Sequence, residues 1–300
     1  MWTEQEIQIL KDNHGKLTLP MIQKMLNNKS YTCIRSRAQR MGLYRNKSLN
    51  PICTKYSFDT EYFKELNPIK CYLGGIICTD GCIMNTGKNK NIKYFSHKVS
   101  IKDEIIIDNL IKELKFTGNK KYVNHKSPNS NNICKCVYIT LSCFNKNAEY
   151  LEKYFNIVPQ KTHRLKGTNI NDNFLNLCFC IGAFDGDGTV GYSNGSPYIS
   201  IASVSKDFIV WMKNIIDLNF SEYKFRECKN GNIDFYKRDK MWRFTTKGVR
   251  AAIIINYLGQ FPVPKLDRKW NNQNILKYIK EKKNEYKYKH FFKDIILFDI

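Results

Sequence analysis

Two short segments of this 300-residue chain nearly repeat one another. Residues 72–81 read YLGGIICTDG, and residues 180–188 read CIGAFDGDG. Each combines an apolar run with small residues and ends in an Asp-Gly pair, which is typical of a helix that stops at a glycine. Such a helix leaves a carboxylate at its tip, here Asp80 and Asp187. The repeat predicts a duplicated domain that presents two equivalent acids.

The sequence after each segment also repeats. Both copies predict a hairpin, an amphipathic helix, a second hairpin and a closing helix. The predicted elements are hairpin turns at 87–90 and 192–195, helices at 103–114 and 206–216, hairpins within 122–141 and 223–245, and helices at 147–155 and 247–258. A short helix is also predicted at 58–66, ending at Asn67, with Pro68 in the first turn of the next helix. An α+β fold with the order αββαββα, present twice, follows from this pattern.

Small residues in the repeated helices predict how the helices pack. Gly74, Gly75 and Gly182 have no side chain, and a glycine inside a helix costs about 1 kcal/mol relative to alanine. A close helix-helix interface would justify that cost, because it needs backbones that can approach one another. Such an interface would bring Asp80 and Asp187 together. Two close carboxylates raise each other's pKa unless a divalent cation neutralises them, and hard oxygen ligands favour Mg²⁺ or Mn²⁺.

The charge of the chain predicts a polyanionic partner. There are 49 Lys and Arg residues against 27 Asp and Glu residues, which gives a formal net charge of +22. This excess favours nucleic acid through counterion release. No run reaches the apolar length of a membrane span, and the N-terminus lacks a basic region followed by an apolar stretch, so we expect no membrane association and an intracellular location.

The eleven cysteines predict reduced thiols. Several of them lie inside apolar runs, among them Cys71, Cys78, Cys178 and Cys180. Buried cysteines of this kind behave as small apolar side chains in a reducing compartment. The spacings between the cysteines do not form the paired C-x2-C pattern of a structural zinc site.

The first 44 residues have helical periodicity of their own. Apolar residues recur at helical spacing in three short segments, Ile7 and Leu10, then Ile22, Met25 and Leu26, then Ile34, Ala38 and Met41. The third helix is predicted to start near Ser30 or Thr32 and to end at Gly42. Its exposed face would carry Arg35, Arg37 and Arg40, which suits a DNA-binding helix-turn-helix, although charged residues on a solvated helix are the simpler alternative. Residues 45–56 are predicted to be a linker.

Two resemblances extend this interpretation. The residues Trp2-Thr-x-x-Glu and Ile34-Arg-Ser-Arg-Ala resemble a Myb/SANT-type helix-turn-helix, in which Trp2 would belong to the core. Residues 73–81 and 180–188 resemble the two motifs of a single-chain LAGLIDADG homing endonuclease, and the similarity covers roughly residues 57 to 285. The first motif departs from the family at Cys78, where an earlier Asp is usual. The second motif has Asp185 there.

The LAGLIDADG resemblance implies a fold, a reaction and a site. The fold is two pseudo-symmetric halves, here 57–166 and 167–300 with a C-terminal helix, behind the helix-turn-helix at 1–44. The reaction is metal-dependent double-strand DNA cleavage at a long asymmetric target by a monomer, with helix tips in the minor groove and sheets over the flanking major grooves. The implied metal ligands are Asp80 and Asp187, with the carbonyls of Thr79 and Gly186. Lys161 and Lys269 would assist, since they follow the two acids at nearly equal intervals, and Lys265 is an alternative to Lys269.

Two other functions are compatible with the same fold. One is a maturase that binds intron RNA, for which the carboxylates are dispensable. The other is a DNA-binding regulator that kept the scaffold and lost the catalysis. The C-terminal run 277–289 is predicted to be a solvated basic helix that adds phosphate attraction.

Overall fold

A computed structural model describes residues 2–14, 19–26, 28–43, 56–85, 93–126, 133–220, 232–236 and 240–285. The chain divides into two compact units, residues 1–57 and residues 58–300. Outside the described residues lie 45–55 of the predicted linker 45–56, the turn at 87–90, residues 223–231 and 237–239 of the predicted hairpin 223–245, and the end of the basic run after 285.

The first unit contains the three predicted helices. They are α1 (Glu4–Asn13), α2 (Leu19–Met25) and α3 (Tyr31–Arg40). Ser30 caps α3 by accepting a hydrogen bond from the Cys33 amide, and Gly42 takes a positive φ of 64° after the helix. The buried core of this unit consists of Leu10, Leu19, Ile22, Leu26, Ile34 and Ala38, with Trp2 packed against it. Met25 was predicted on the apolar face but is 49% exposed, because Ile22 in α2 and Leu26 directly after it are buried instead.

The second unit contains the αββαββα order twice, as predicted. The first copy consists of α4 (Pro68–Thr79), β1 (Gly81–Asn85), β2 (Lys93–Ser100), α5 (Glu104–Glu113), β3 (Lys121–Lys126), β4 (Ile133–Leu141) and α6 (Asn145–Phe155). The second consists of α7 (Asn173–Gly186), β5 (Gly188–Ser193), β6 (Ser196–Ser203), α8 (Lys206–Asn219), β7 (Asn232–Tyr236), β8 (Met241–Lys247) and α9 (Gly248–Gly259). Both sheets are antiparallel, with matching strand orders β1-β2-β4-β3 and β5-β6-β8-β7.

Local sequence sets the ends of these elements. Asn67 caps α4 by accepting from the Lys70 amide, with Pro68 in the first turn, and Asp172 caps α7 in the same way. Asn194 and Gly195 both have positive φ, as a two-residue type I′ hairpin requires. The prediction of a helix at 58–66 is wrong, because this segment forms only a short 3-10 turn at Tyr62–Lys64. Two further helices follow α9, namely α10 (Asp267–Trp270) and α11 (Gln273–Lys283).

The contact between α4 and α7 confirms a pseudo-twofold relation between the halves. A Cβ atom at Gly75 would overlap the carbonyl oxygen of Phe179, and a Cβ atom at Gly182 would overlap the carbonyl oxygen of Tyr72. The two contacts exchange equivalent residues, since Gly75 and Gly182 are separated by the same interval as Tyr72 and Phe179. Gly74 lies elsewhere: its missing Cβ faces the ring of Phe155 on α6, within its own half.

One buried side chain breaks the symmetry of the two cores. His97 on β2 is fully buried beside Gly81 in the strand register, where the second half has Ile201 beside Gly188. Both ring nitrogens of His97 are buried without a hydrogen-bond partner, and its ring stacks on Phe95 with the centroids 6.1 Å apart. Burial lowers the pKa of His97 to about 3, so the ring stays neutral.

The glycine contact gives a direct test of the fold. Replacing Gly182 by alanine should destabilise the protein by about 3 kcal/mol or more, because the added methyl group has only backbone to displace. Urea unfolding of the purified protein measures the change. Gly259→Ala in α9 is the matched control, because its Cβ would meet nothing closer than 3.8 Å. Equal stability of the two variants would contradict the close approach of α4 and α7.

Candidate active site

The tips of α4 and α7 meet at their acidic residues. Asp80 and Asp187 are the residues that directly follow the two helices, at the negative ends of the helix dipoles. The tips are in contact, because a Cβ atom at Gly186 would overlap the hydroxyl of Thr79 and lie 3.1 Å from Asp80 Oδ2. The close packing of α4 and α7 therefore places the carboxylates of Asp80 and Asp187 near one another at the helix tips.

The two carboxyl groups are hard to ionise in this setting. Burial, and then the charge of Asp187, raises the pKa of Asp80 to about 6. Burial also raises the pKa of Asp187, and its proximity to Lys161 opposes that rise. A divalent cation would remove both causes, since it replaces lost hydration and cancels the mutual repulsion.

A cleft leads from each acid onto one β-sheet. The first is lined by Asp80 together with Gly186, Lys98, Ser100, Asp103 and Cys136. The second is lined by Asp187 with Thr189, Tyr198, Ser200, Arg243 and Lys247. A third depression joins Asp187 to Thr79 and Lys161. Each acid thus shares a cavity with the residue that precedes the other acid.

The oxygen donors at the helix tips fit a hard divalent ion. Asp80 faces the side of Gly186, and Asp187 faces the side of Thr79, so each carboxylate has a backbone segment of the opposite helix beside it. Within the described ranges, no group of three or more His, Cys, Asp or Glu side chains is arranged to hold a metal. An ion here would need ligands from outside the chain to complete its coordination, and phosphate oxygens or water are suitable.

Lys161 lies at the tip of α4. Its ammonium donates a 3.0 Å hydrogen bond to the Thr79 carbonyl oxygen, and its side chain is half-buried. It also lowers the pKa of Asp187, so its charge acts on the acid of the other half. With a single backbone acceptor, this ammonium keeps donors for a second partner.

Lys269 occupies the corresponding place at α7 but is held differently. Its ammonium donates to the carbonyl oxygens of Phe184, Asp185 and Gly188 at 2.7, 2.7 and 2.8 Å. All three donors are used, the side chain is 5% exposed, and burial lowers its pKa. Lys269 therefore caps the C-terminus of α7 as well as lying near the acids.

The alternative lysine is not at the helix tips. Lys265 donates its hydrogen bond to the Phe261 carbonyl oxygen at 2.8 Å, in the turn after α9. Of the two candidates for the second half, Lys269 is the one beside the repeated motif.

Asp185 organises the second half of the site, and the sequence did not reveal this role. Its Oδ2 accepts hydrogen bonds from the Tyr72 hydroxyl and the Leu266 amide, both at 2.9 Å, and its Oδ1 accepts from the Trp270 indole at 2.8 Å. One buried carboxylate thus ties α4, α7 and the segment that carries Lys269. Cys78 in the first half occupies the position of Asp185 in the second, and Phe179 in the second half occupies the position of Tyr72 in the first. This paired change from polar to apolar was visible in the sequence.

An ion pair between the halves borders the first cleft. Arg268 donates two hydrogen bonds to the Asp103 carboxylate at 2.8 and 2.9 Å, in the paired geometry that favours arginine. Asp103 is also among the groups that raise the pKa of Asp80. Arg268 therefore offsets the negative charge of Asp103, which lies near Asp80 as Asp187 does.

The predicted DNA-binding arginines all lie on α3 in the first unit. Arg35 and Arg40 are exposed, and the Arg40 Nε donates to the Ser36 carbonyl oxygen at 3.4 Å. Arg37 is half-buried, with its Nε inaccessible and unpartnered, so the predicted exposed face holds two of the three residues.

The structure of this chain is similar to several solved protein structures. The chain is 13% identical to the LAGLIDADG homing endonuclease I-LtrWI bound to target DNA, with 79% of this chain and 97% of that chain covered and a TM-score of 0.44. It is 16% identical to the LAGLIDADG homing endonuclease I-SmaMI bound to cleaved DNA, with 73% of this chain and 91% of that chain covered and a TM-score of 0.44. The chain is 12% identical to the N-terminal LAGLIDADG domain of DUF199/WhiA, with 68% of this chain and 82% of that chain covered and a TM-score of 0.39.

Neither a protein-family model nor a curated protein matches the chain. With identities of 12 to 16% and TM-scores below 0.5, the chemistry of this chain has to be inferred from its own residues. Among the described helices, none has the length and apolar character needed to cross a membrane.

The crowded acids predict a pH-dependent stability. The folded protein raises the pKa of Asp80 to about 6, so it binds this proton more tightly than the unfolded chain does. Metal-free protein should therefore lose stability as the pH rises from about 4 to about 6. Asp80→Asn should raise the melting temperature at pH 8, and the gain should disappear near pH 4. Thermal unfolding with a chelator present measures both.

Asp185→Asn is the control for that experiment. It should lower the melting temperature at pH 8, because an amide cannot accept all three hydrogen bonds that the Asp185 carboxylate receives. If Asp80→Asn were as destabilising as Asp185→Asn, Asp80 would be a structural residue.

Proposed function

We propose that this protein is a site-specific double-strand DNA endonuclease that hydrolyses phosphodiester bonds with Mg²⁺ or Mn²⁺. The observation that carries the proposal is the pair of carboxylates with raised pKa values at two touching helix tips, in a chain of net charge +22. A purely structural role gives no reason to crowd two acids in this way, since the arrangement costs stability.

The chain has residues to hold a metal at each tip. Asp80 with the Gly186 carbonyl, and Asp187 with the Thr79 carbonyl, would supply hard oxygen ligands on the two sides of the interface, since each acid lines a cavity with the residue named beside it. A bound divalent ion would activate water and stabilise the departing 3′ oxygen. The two centres are related by the pseudo-twofold axis, which suits attack on both strands of a duplex.

The lysines would have unequal roles. Lys161 is free to turn from the Thr79 carbonyl towards a phosphate, where it would offset the charge that develops on the pentavalent phosphorus. Lys269 would act mainly by holding the end of α7 in place, because its three donors are already engaged.

The two sheets and the first unit would bind the DNA. Each cleft continues from an acid over the solvent face of a sheet, so DNA held at the acids would extend along both sheets. This supports a long target with different halves and a single chain as the acting species. Arg35 and Arg40 would add phosphate contacts from α3.

Cleavage by acid variants tests the proposal. Plasmid carrying a library of genomic DNA is incubated with Mg²⁺, and the new ends are sequenced to find the site. Asp80→Ala and Asp187→Ala should each slow cleavage of at least one strand by about a hundredfold or more, and the double variant should cut neither. DNA binding should persist in all three. Double-strand cleavage by the double variant would refute the assignment.

Controls separate the proposal from its alternatives. Glu149→Ala removes an exposed acid from α6 and should leave cleavage unchanged. Specific DNA binding without any cleavage by the unaltered protein would favour the regulator. Tight binding and folding of an intron RNA, with no cleavage of DNA, would favour the maturase.

The arginines of α3 give a separate test of the DNA-binding role of the first unit. Arg35→Ala and Arg40→Ala should each weaken DNA binding and lower the slope of log affinity against log salt by about 1, as loss of one phosphate contact does. Fluorescence anisotropy over a range of salt concentrations measures this. Lys11→Ala on α1 is the control, with an equal charge change on another helix. Equal slopes for all three variants would exclude α3 as the contacting helix.

A further inference from the structure

The buried histidine of β2 lies next to the tip of α4. His97 pairs with Gly81, the residue after Asp80, in the register of β1 and β2. Gly81 has no side chain, and its backbone packs so closely on α4 that a Cβ atom there would lie 2.7 Å from the Ile77 carbonyl oxygen. His97 is therefore one strand spacing, about 4.8 Å, from the backbone that continues from the helix tip.

The ring of His97 carries hydrogen-bonding groups that are not used. The side chain is fully buried, and neither ring nitrogen has a hydrogen-bond partner among the described residues. A neutral imidazole has one N–H donor and one acceptor, and leaving either unpaired in a buried place costs stability. The second half avoids this cost, because its equivalent residue is Ile201. A histidine at this position therefore calls for a reason other than packing.

Lys161 can supply the donor that His97 lacks. Its ammonium has three N–H groups, and the one acceptor found for it among the described residues is the carbonyl oxygen of Thr79, two residues before Gly81. Burial, and then the charge of Lys161, lowers the pKa of His97 to about 3, so the ammonium is near enough to act on the ring. The flexible four-carbon stem of a lysine lets its ammonium bring a second N–H group to another acceptor.

The Thr79 carbonyl has a second use under the proposed function. It would be a metal ligand beside Asp187, and a divalent ion repels an ammonium that is bonded to the same oxygen. Lys269 does not meet this conflict, because its three acceptors are the carbonyls of residues 184, 185 and 188 and not that of Gly186. Lys161 therefore needs an acceptor other than Thr79 if it is to stay at the tip of α4.

We propose that His97 is a positioning residue for Lys161. One nitrogen of its neutral ring accepts a second hydrogen bond from the Lys161 ammonium and holds it at the tip of α4 when the Thr79 carbonyl serves as a metal ligand. The inference rests on the proposed function, because it gives Lys161 a fixed place from which to act on a phosphate. It also explains why the first half keeps a buried imidazole where the second half has an aliphatic side chain.

Nitrogen NMR of the metal-free protein tests the contact directly. The chain has five histidines, so ¹⁵N-histidine labelling gives few signals, and His97→Gln identifies the signal of His97. Lys161→Met should shift the signal of the accepting ring nitrogen, because that nitrogen loses its donor. Lys98→Met is the matched control, since it removes an equal charge beside His97 from the solvent face of β2. No shift in Lys161→Met, or the same shift in both variants, would overturn the contact.

Cleavage rates of the separate strands test what the contact does. The two strands of the cleaved duplex carry different labels. His97→Ile copies the second half and should slow the strand that depends on Lys161 by about tenfold or more, as loss of a hydrogen bond to a charged group does, and leave the other strand unchanged. His97→Gln keeps an acceptor and should stay within about threefold of the unaltered protein. In the Lys161→Met background, His97→Ile should slow cleavage no further.

Thermal unfolding separates positioning from packing. His97→Ile should raise the melting temperature by about 2–4 °C, because it removes unpaired buried groups. Such a rise without slowing of either strand, or further slowing in the Lys161→Met background, would overturn the positioning role and leave the endonuclease proposal intact. If the unaltered protein cuts no DNA, the endonuclease proposal fails, and the nitrogen signals alone decide whether His97 holds Lys161.

Discussion

The contact between the backbones of α4 and α7 determines most of what this protein can do. Gly75 and Gly182 let each helix lie against a carbonyl oxygen of the other, so any side chain at either position would hold the helices apart. Close approach along the whole interface brings the two C-terminal tips together, and each tip is followed by an acid. The result is electrostatically unfavourable, because buried carboxylates at negative helix ends oppose one another. The apolar length of both helices provides the compensating burial, with Leu73, Ile76, Cys178 and Ile181 fully inaccessible.

The two halves share a backbone plan and differ in how their polar groups are satisfied. In the second half, the Asp185 carboxylate accepts three hydrogen bonds and the Lys269 ammonium donates three. The positions equivalent to Asp185 and Tyr72 are held by Cys78 and Phe179, which are both buried and cannot form the same hydrogen bond, and Lys161 has one backbone acceptor. A buried polar network is stable only if every member is paired, so the whole set must be kept or lost together. This explains why Asp185 coincides with Tyr72, and Cys78 with Phe179.

The sequence predicted the features that depend on local spacing. The order of elements, Pro68 in the first turn of α4, the stop at Asp80 and the turn at Asn194 follow from neighbouring residues, and each is confirmed. The features that depend on distant residues were not predictable. Gly74 and Gly75 are adjacent and chemically identical, yet only the direction of each Cβ site decides that one meets Phe155 and the other α7. Likewise, the three carbonyl partners of Lys269 arise from how α10 returns to α7, which no spacing encodes.

Duplication within one chain permits specialisation of this kind. A symmetric pair of identical subunits must place the same side chain at both copies of a position, so both sheets would carry the same surface. The cross-strand pairs Ser96–Thr140 and Ser200–Thr245 are equivalent in the two sheets and chemically alike. The next equivalent pairs differ, because one half has Lys98 with Tyr138 and the other has Ala202 with Arg243. Each of these pairs contributes one cation, but on neighbouring strands, so the charge is displaced by one strand spacing of about 4.8 Å. The number of cations in these equivalent pairs is therefore the same in both halves, while the strand that carries the cation differs. Equivalent positions can differ in this way only because the two halves are encoded separately in one chain, where each position can change without its counterpart.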